Sequence, residues 1–75
     1  MNLADARRWF VANGGNVRMI GRTADHAIFQ IEVGPHVSAG LGVEHGGRQH
    51  IPESDPQFQK AFVQMVESLE AKIRR

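Results

Sequence analysis

The chain contains no cysteine and no tyrosine, and a single tryptophan. Without cysteine there is no disulfide framework, no thiol nucleophile and no thiolate metal ligand. An excess of one charge is missing too: nine Lys plus Arg face eight Asp plus Glu, a formal net charge of +1. Proteins that grip nucleic acid through backbone phosphates carry a basic excess or a basic stripe. Here Arg7, Arg8, Arg18, Arg22, Arg48, Lys60, Lys72, Arg74 and Arg75 are scattered, with acids between most of them. Long apolar runs are also absent. The longest is Trp9-Phe10-Val11-Ala12, whereas a membrane helix needs about 20 such residues. Met1 to Asp5 has neither the basic segment nor the apolar stretch of a signal peptide. The expectation is a cytoplasmic protein with no membrane partner.

What remains is ordinary globular material: 75 residues, 41% hydrophobic and 23% charged. That length supports one domain, residues 1–75. A chain so short buries only about 60% of the surface it exposes when unfolded. With no disulfide or metal to compensate, self-association is a usual remedy.

Hydrophobic spacing predicts the elements. Asn2 suits a helix N-cap, with Asp5 placed as its capping-box partner. Leu3, Ala6 and Phe10 share one stripe, and Asn13-Gly14-Gly15-Asn16 stops the helix, which is read as residues 3–13. Residues 17–22 read as a strand, with Val17 and Met19 on one face and Arg18, Ile20 and Arg22 on the other. Residues 26–33 alternate clearly, Ala27, Phe29, Ile31 and Val33 against His26, Ile28, Gln30 and Glu32. A three-residue turn at 23–25 pairs Met19 with Phe29 and Ile20 with Ile28; a four-residue turn would break that phase. Gly34-Pro35 ends the strand. In residues 37–44, Val37, Ala39, Leu41 and Val43 face one way and Ser38, Gly40, Gly42 and Glu44 the other. Gly46-Gly47 predicts a hairpin turn into a short edge strand at 48–51. Ser54 or Asp55 caps a second helix with Pro56 in its first turn, and Gln57 completes a capping box with Ser54. Phe58, Phe62, Met65, Leu69 and Ile73 form its stripe, widened by Ala61 and Val66. Lys72, Arg74 and Arg75 suit the negative end of the helix dipole. The helix is read as residues 56–74.

The predicted fold is therefore α+β, a two-layer α-β-β-β(-β)-α arrangement. An antiparallel meander is covered on one face by an N-terminal and a longer C-terminal helix. The predicted core is Leu3, Ala6, Phe10, Val17, Met19, Phe29, Ile31, Val33, Val37, Ala39, Leu41, Val43, Phe58, Phe62, Met65, Leu69 and Ile73.

Catalytic signatures fail on inspection. Gly40-Leu41-Gly42 starts like a dinucleotide fingerprint, but the third glycine position is His45 and no helix follows. No phosphate loop, nucleophile elbow or HExxH motif occurs. Ser38, Ser54 and Ser68 are accounted for by an outer strand face, a helix cap and an exposed helix face. His26, His36, His45 and His50 lack a metal-ligand spacing, although a 46–47 hairpin would make His45 and His50 diagonal neighbours near Glu44 and Glu53. They are read as surface loop histidines. No enzyme, cofactor or metal is expected.

The candidate site is instead an interaction face on the outer side of the sheet: Ile20 beside Ile28, with Gly40 and Gly42 allowing close approach and Arg18, Arg22 and Gln30 around them. Trp9 belongs at the sheet margin or serves as a partly exposed anchor. The expected function is a small non-enzymatic protein-interaction domain, of adaptor or inhibitor type. It is expected to form a homodimer through this face or to bind a larger protein. The alternative is nucleic-acid binding. The α-β-β-β-α order is shared with double-stranded RNA-binding domains. Their basic cluster at the start of the second helix would fall near residues 53–59, where Glu53 and Asp55 stand without Lys or Arg. Arg7, Arg8, Arg18 and Arg22 would have to supply a basic patch.

Overall fold

A computed structural model of the 75-residue chain describes residues 1–35 and 37–74. The expectations for His36 and Arg75 lie outside the described residues. The elements are α1 (Leu3–Ala12), β1 (Asn16–Arg22), β2 (His26–Val33), β3 (Val37–Glu44) and α2 (Pro56–Ile73). The three strands form an open antiparallel sheet in the order β1-β2-β3. With α2 packed on that sheet, this is the expected two-layer α+β arrangement.

The first helix begins where Asn2 accepts the Asp5 backbone N–H at 2.8 Å. Only this half of the capping box forms, because the Asp5 carboxylate turns to Arg8. The helix ends in a Schellman motif. The Gly14 N–H donates to the Val11 carbonyl at 3.1 Å and the Gly15 N–H to the Phe10 carbonyl at 2.8 Å. Gly14 takes φ +68°, which only glycine adopts without strain. Gly15 serves a different need. A Cβ there would overlap the edge of the Phe10 ring.

Phe10 is itself clamped. Its ring meets Phe62 of α2 edge-on at 5.2 Å; Phe62 lies at 6.2 Å from Phe58, near-parallel; Phe58 meets Phe29 of β2 edge-on at 5.3 Å. All four phenylalanines of the chain thus join α1, α2 and the sheet in one line. Edge-on and offset ring pairs contribute about 0.5–1.5 kcal/mol each beyond area burial. Ala6, Ala27, Ile31, Val66 and Leu69 are fully enclosed around this line. On β2 the inner residues Ala27, Phe29, Ile31 and Val33 are all buried, as the alternation predicts.

Helix α2 packs across β3, and α1 packs on α2. The β1 strand is left largely uncovered, with Val17 alone better than exposed. This corrects one core assignment. Met19 does face Phe29 across the strands, yet it is 49% exposed, because no helix lies over it. Ile73 is corrected too, at 44% exposed. It falls in the last turn of α2, level with the start of β3, where Lys72 reaches the Ser38 carbonyl. Val66 and Ile51 complete the core instead, and Ala27 joins them.

The β1–β2 register is half as expected. Val17 opposes Ile31 and Met19 opposes Phe29, but Ile28 opposes Gly21 and Arg22 opposes Ala27. Four residues, 23–26, separate Arg22 from Ala27, which puts the hairpin one residue out of phase. A bulge at Ile20 absorbs the extra residue and restores the phase for Val17 and Met19. Consequently Ile20 has no cross-strand partner, and Arg22 changes face.

The fourth strand does not form. Gly46 and Gly47 make a turn, both with positive φ, closed by the Arg48 N–H on the His45 carbonyl at 2.9 Å. Arg48 then spends its side chain on that turn and on Asp55, and residues 48–55 run irregularly into α2 with Ile51 buried. The helix cap is Asp55 alone; its Oδ1 accepts the N–H groups of Gln57 and Phe58. Ser54 and Gln57 form no capping box, because Asp55 already holds the donors.

Gly15→Ala should destabilise the fold by about 1–3 kcal/mol, the usual cost of overpacking. Gly42→Ala, whose new methyl would sit 3.5 Å from Ile28 Cδ1, should stay within about 0.5 kcal/mol of wild type. Urea unfolding of both variants checks this, and equal stabilities would contradict the clamp on Phe10.

Candidate functional site

The outer sheet face is built from the strand residues that point away from the helices. Arg18, Gln30 and Gly40 lie in one row across the three strands, and Gly21, Ile28 and Gly42 in the next. The Arg18 guanidinium donates to Gln30 Oε1 at 3.1 Å and pairs with Glu32 at 3.3 Å. Ile28 lies between two glycines and is half-buried; its side chain leans beside Gly42. The expected face is therefore only partly assembled. Arg18, Ile28, Gln30, Gly40 and Gly42 come together, and two members differ. Ile20, 55% exposed, sits in the bulge rather than opposite Ile28. Arg22 points to the helix side and donates to the Arg48 carbonyl. Trp9 is partly buried against the core on α1, a helix-layer position rather than part of this face.

A second cluster gathers where β1 turns into β2, β3 ends and α2 begins. His45 is 6% exposed, which corrects its reading as a surface loop residue. Its Nδ1 accepts the Gly47 N–H at 2.9 Å, so Nε2 carries the ring proton and donates to the Thr23 carbonyl at 3.0 Å. Its backbone N–H donates to the Asp25 carbonyl. Arg48 donates from Nε to the His45 carbonyl and pairs with Asp55 Oδ2, each at 2.9 Å. The two buried polar side chains among the described residues, His45 and Asp55, are thus fully used in holding three loops together. His50 is exposed in the irregular segment, so the hairpin that would set it beside His45 is not formed. Among the described residues, no three His, Asp or Glu side chains gather in a metal-holding group.

The hydrogen bond from the Phe58 N–H, then that from Arg48, holds the Asp55 carboxyl below its ordinary value of 3.8, and burial opposes them. A carboxyl depressed in the folded state stabilises the fold above 3.8, and that contribution fades as the pH falls through the folded value.

The third feature is an open cleft of about 260 Å³ between α1, the start of β1 and the approach to α2. Phe10, Phe58 and Phe62 form its floor, Val11 and Val17 its walls, and Arg7 and Glu53 also line it. It exists because the aromatic line ties α1 to α2 while, among the described residues, most of β1 beyond Val17 is left uncovered. Val11, 76% exposed, was its sequence signal: an apolar residue off the Leu3–Ala6–Phe10 stripe.

The four arginines of the candidate basic patch are not a free group. Arg8 is engaged with Asp5, Arg18 with Gln30 and Glu32, and Arg22 with the Arg48 carbonyl. No helix among the described residues is long and apolar enough to cross a membrane. No protein-family model matches the chain, and no curated protein or solved structure matches it significantly.

Asp55→Asn should lower stability at neutral pH and flatten its decline in acid, because the ionised carboxylate is what is lost below 3.8. Denaturant titrations at several pH values between neutral and acid check this. An unchanged acid slope in the variant would assign the acid sensitivity to another group.

Proposed function

We propose that this chain is a small non-enzymatic protein-interaction domain that self-associates. The observation that carries the reading is the apolar surface left open on α1 and β1. Val11 stands 76% exposed at the rim of an apolar cleft, and on β1 Met19 and Ile20 are 49% and 55% exposed. Contiguous exposed apolar surface marks contact sites far more often than isolated apolar residues do. A chain of 75 residues with no disulfide has a further reason to cover it, since its own core is small. The buried polar groups favour a structural rather than a chemical role. Both ring nitrogens of His45 and both oxygens of Asp55 are engaged within the fold.

The outer sheet face is the lesser surface for this purpose. One isoleucine, half-buried between glycines, stands beside a satisfied Arg18–Gln30–Glu32 group. Nucleic-acid binding draws little support from arginines already bound to acceptors.

Light scattering after size exclusion, over a concentration series at moderate salt, tests the reading. The expected mass approaches twice 8.3 kDa at high concentration and falls toward the monomer on dilution. A monomer throughout would overturn self-association. Retention on duplex RNA at low salt in that case would favour the nucleic-acid alternative.

A further inference from the structure

We infer that the contact between two copies is the cleft between α1 and the start of α2, joined about a two-fold axis, with Arg7 of each copy paired to Glu53 of the other. The inference rests on the self-association reading and names its surface.

A two-fold contact uses the same patch on both copies, so the patch must complement itself. This one does so in shape and in charge. In shape, it offers both a hollow and a projection. The cleft floor is Phe10, Phe58 and Phe62, and Val11 stands at its edge, 76% exposed. Leu3, Arg7 and Val11 recur every four residues and so form one stripe of α1 along the cleft. The projection of one copy can thus enter the hollow of the other.

In charge, the same cleft carries one cation and one anion, Arg7 and Glu53. Among the described residues neither has an oppositely charged side chain within 4.0 Å, whereas Arg8, Arg18, Arg48 and Arg74 are all paired. Two such patches turned face to face set each cation against an anion twice over. A patch of one sign would instead repel its own copy and ask for a different partner.

Size fits as well. A standard interface takes about 800 Å² from each partner, roughly a sixth of the 4882 Å² that this chain exposes. The contact therefore extends from the cleft onto Val11 and the uncovered side of β1, where Val17 and Met19 already need cover.

Charge reversal tests the pairing without disturbing the core, since Arg7 and Glu53 are both exposed. Arg7→Glu alone sets two anions against each other twice; Glu53→Arg alone sets two cations. Each variant should dissociate about tenfold or more readily than wild type. An equimolar mixture of the two should recover the dimer, because every crossed pair is again opposite. Val11→Asp should weaken the dimer and find no rescue in the mixture. Ile28→Glu, on the outer sheet face, should leave the mass unchanged. Circular dichroism of each variant confirms folding.

A wild-type dimer unaffected by either reversal would overturn this inference and leave self-association standing. So would a dimer lost in Ile28→Glu, which would move the contact to the outer face. Weakening by both reversals without recovery on mixing would also overturn the pairing. A wild-type monomer would overturn both, and leave the cleft to a different protein.

Discussion

Everything in this fold depends on a line of four aromatic rings. Phe10, Phe62, Phe58 and Phe29 pass from the first helix through the second to the middle strand, with centroids 5.2–6.2 Å apart. A two-layer protein of 75 residues has room for few large side chains, so where they meet decides how the layers sit. The line fixes α2 over the sheet and α1 against α2. It also dictates a local detail at the entry to β1: the chain leaving α1 must pass so close to the Phe10 ring that only a residue without a side chain fits, and Gly15 fills that place.

The same arrangement has a cost. Two helices tied to one another and to β2 and β3 do not reach the third strand. β1 is left at the margin with Met19 half-exposed on what would otherwise be the core side. The bulge at Ile20 belongs to the same margin. It corrects the hairpin phase at the expense of one unpaired residue and turns Arg22 toward the helix layer. An edge strand that is bulged and twisted resists indiscriminate pairing along its backbone. The open apolar surface beside it therefore calls for cover by side-chain packing rather than by strand addition.

The corner where the β1–β2 turn, the end of β3 and the start of α2 meet is closed by polar chemistry. His45, Arg48 and Asp55 hold together the β1–β2 turn, the exit of β3 and the first turn of α2. This knot uses Arg48, the first residue of the expected fourth strand. Two of its three side chains come from residues 48–55, whose sequence alternates too weakly to compete once Arg48 has acceptors on both sides. The two surfaces of interest thus have separate origins, the cleft in aromatic packing and the closed end in a charge-assisted cap.

Local periodicity was enough to determine the five elements, the two-layer class and most of the core. Each of those follows from side chains whose spacing in the chain repeats the period of the helix or strand. Asn2, Asp55, Gly14 and Gly34-Pro35 mark the boundaries through backbone preferences that act within a few residues. The cap at Asp55 was legible; its engagement by Arg48 was not, since that pair spans an irregular loop. The outer-face pairing of Ile20 with Ile28 failed because a bulge changes register without leaving a mark in the alternation. His45 looked like a loop residue because its burial comes from Thr23, distant in sequence. The cleft had one mark in the sequence, Val11 off the α1 stripe, and its shape had none: its floor and walls come from three elements, and its existence depends on which strand the helices fail to cover. The sequence by itself determined what each segment becomes. Only the tertiary structure decided which apolar residues stay outside, because exposure is set by what packs across a surface and not by the residue that lies on it.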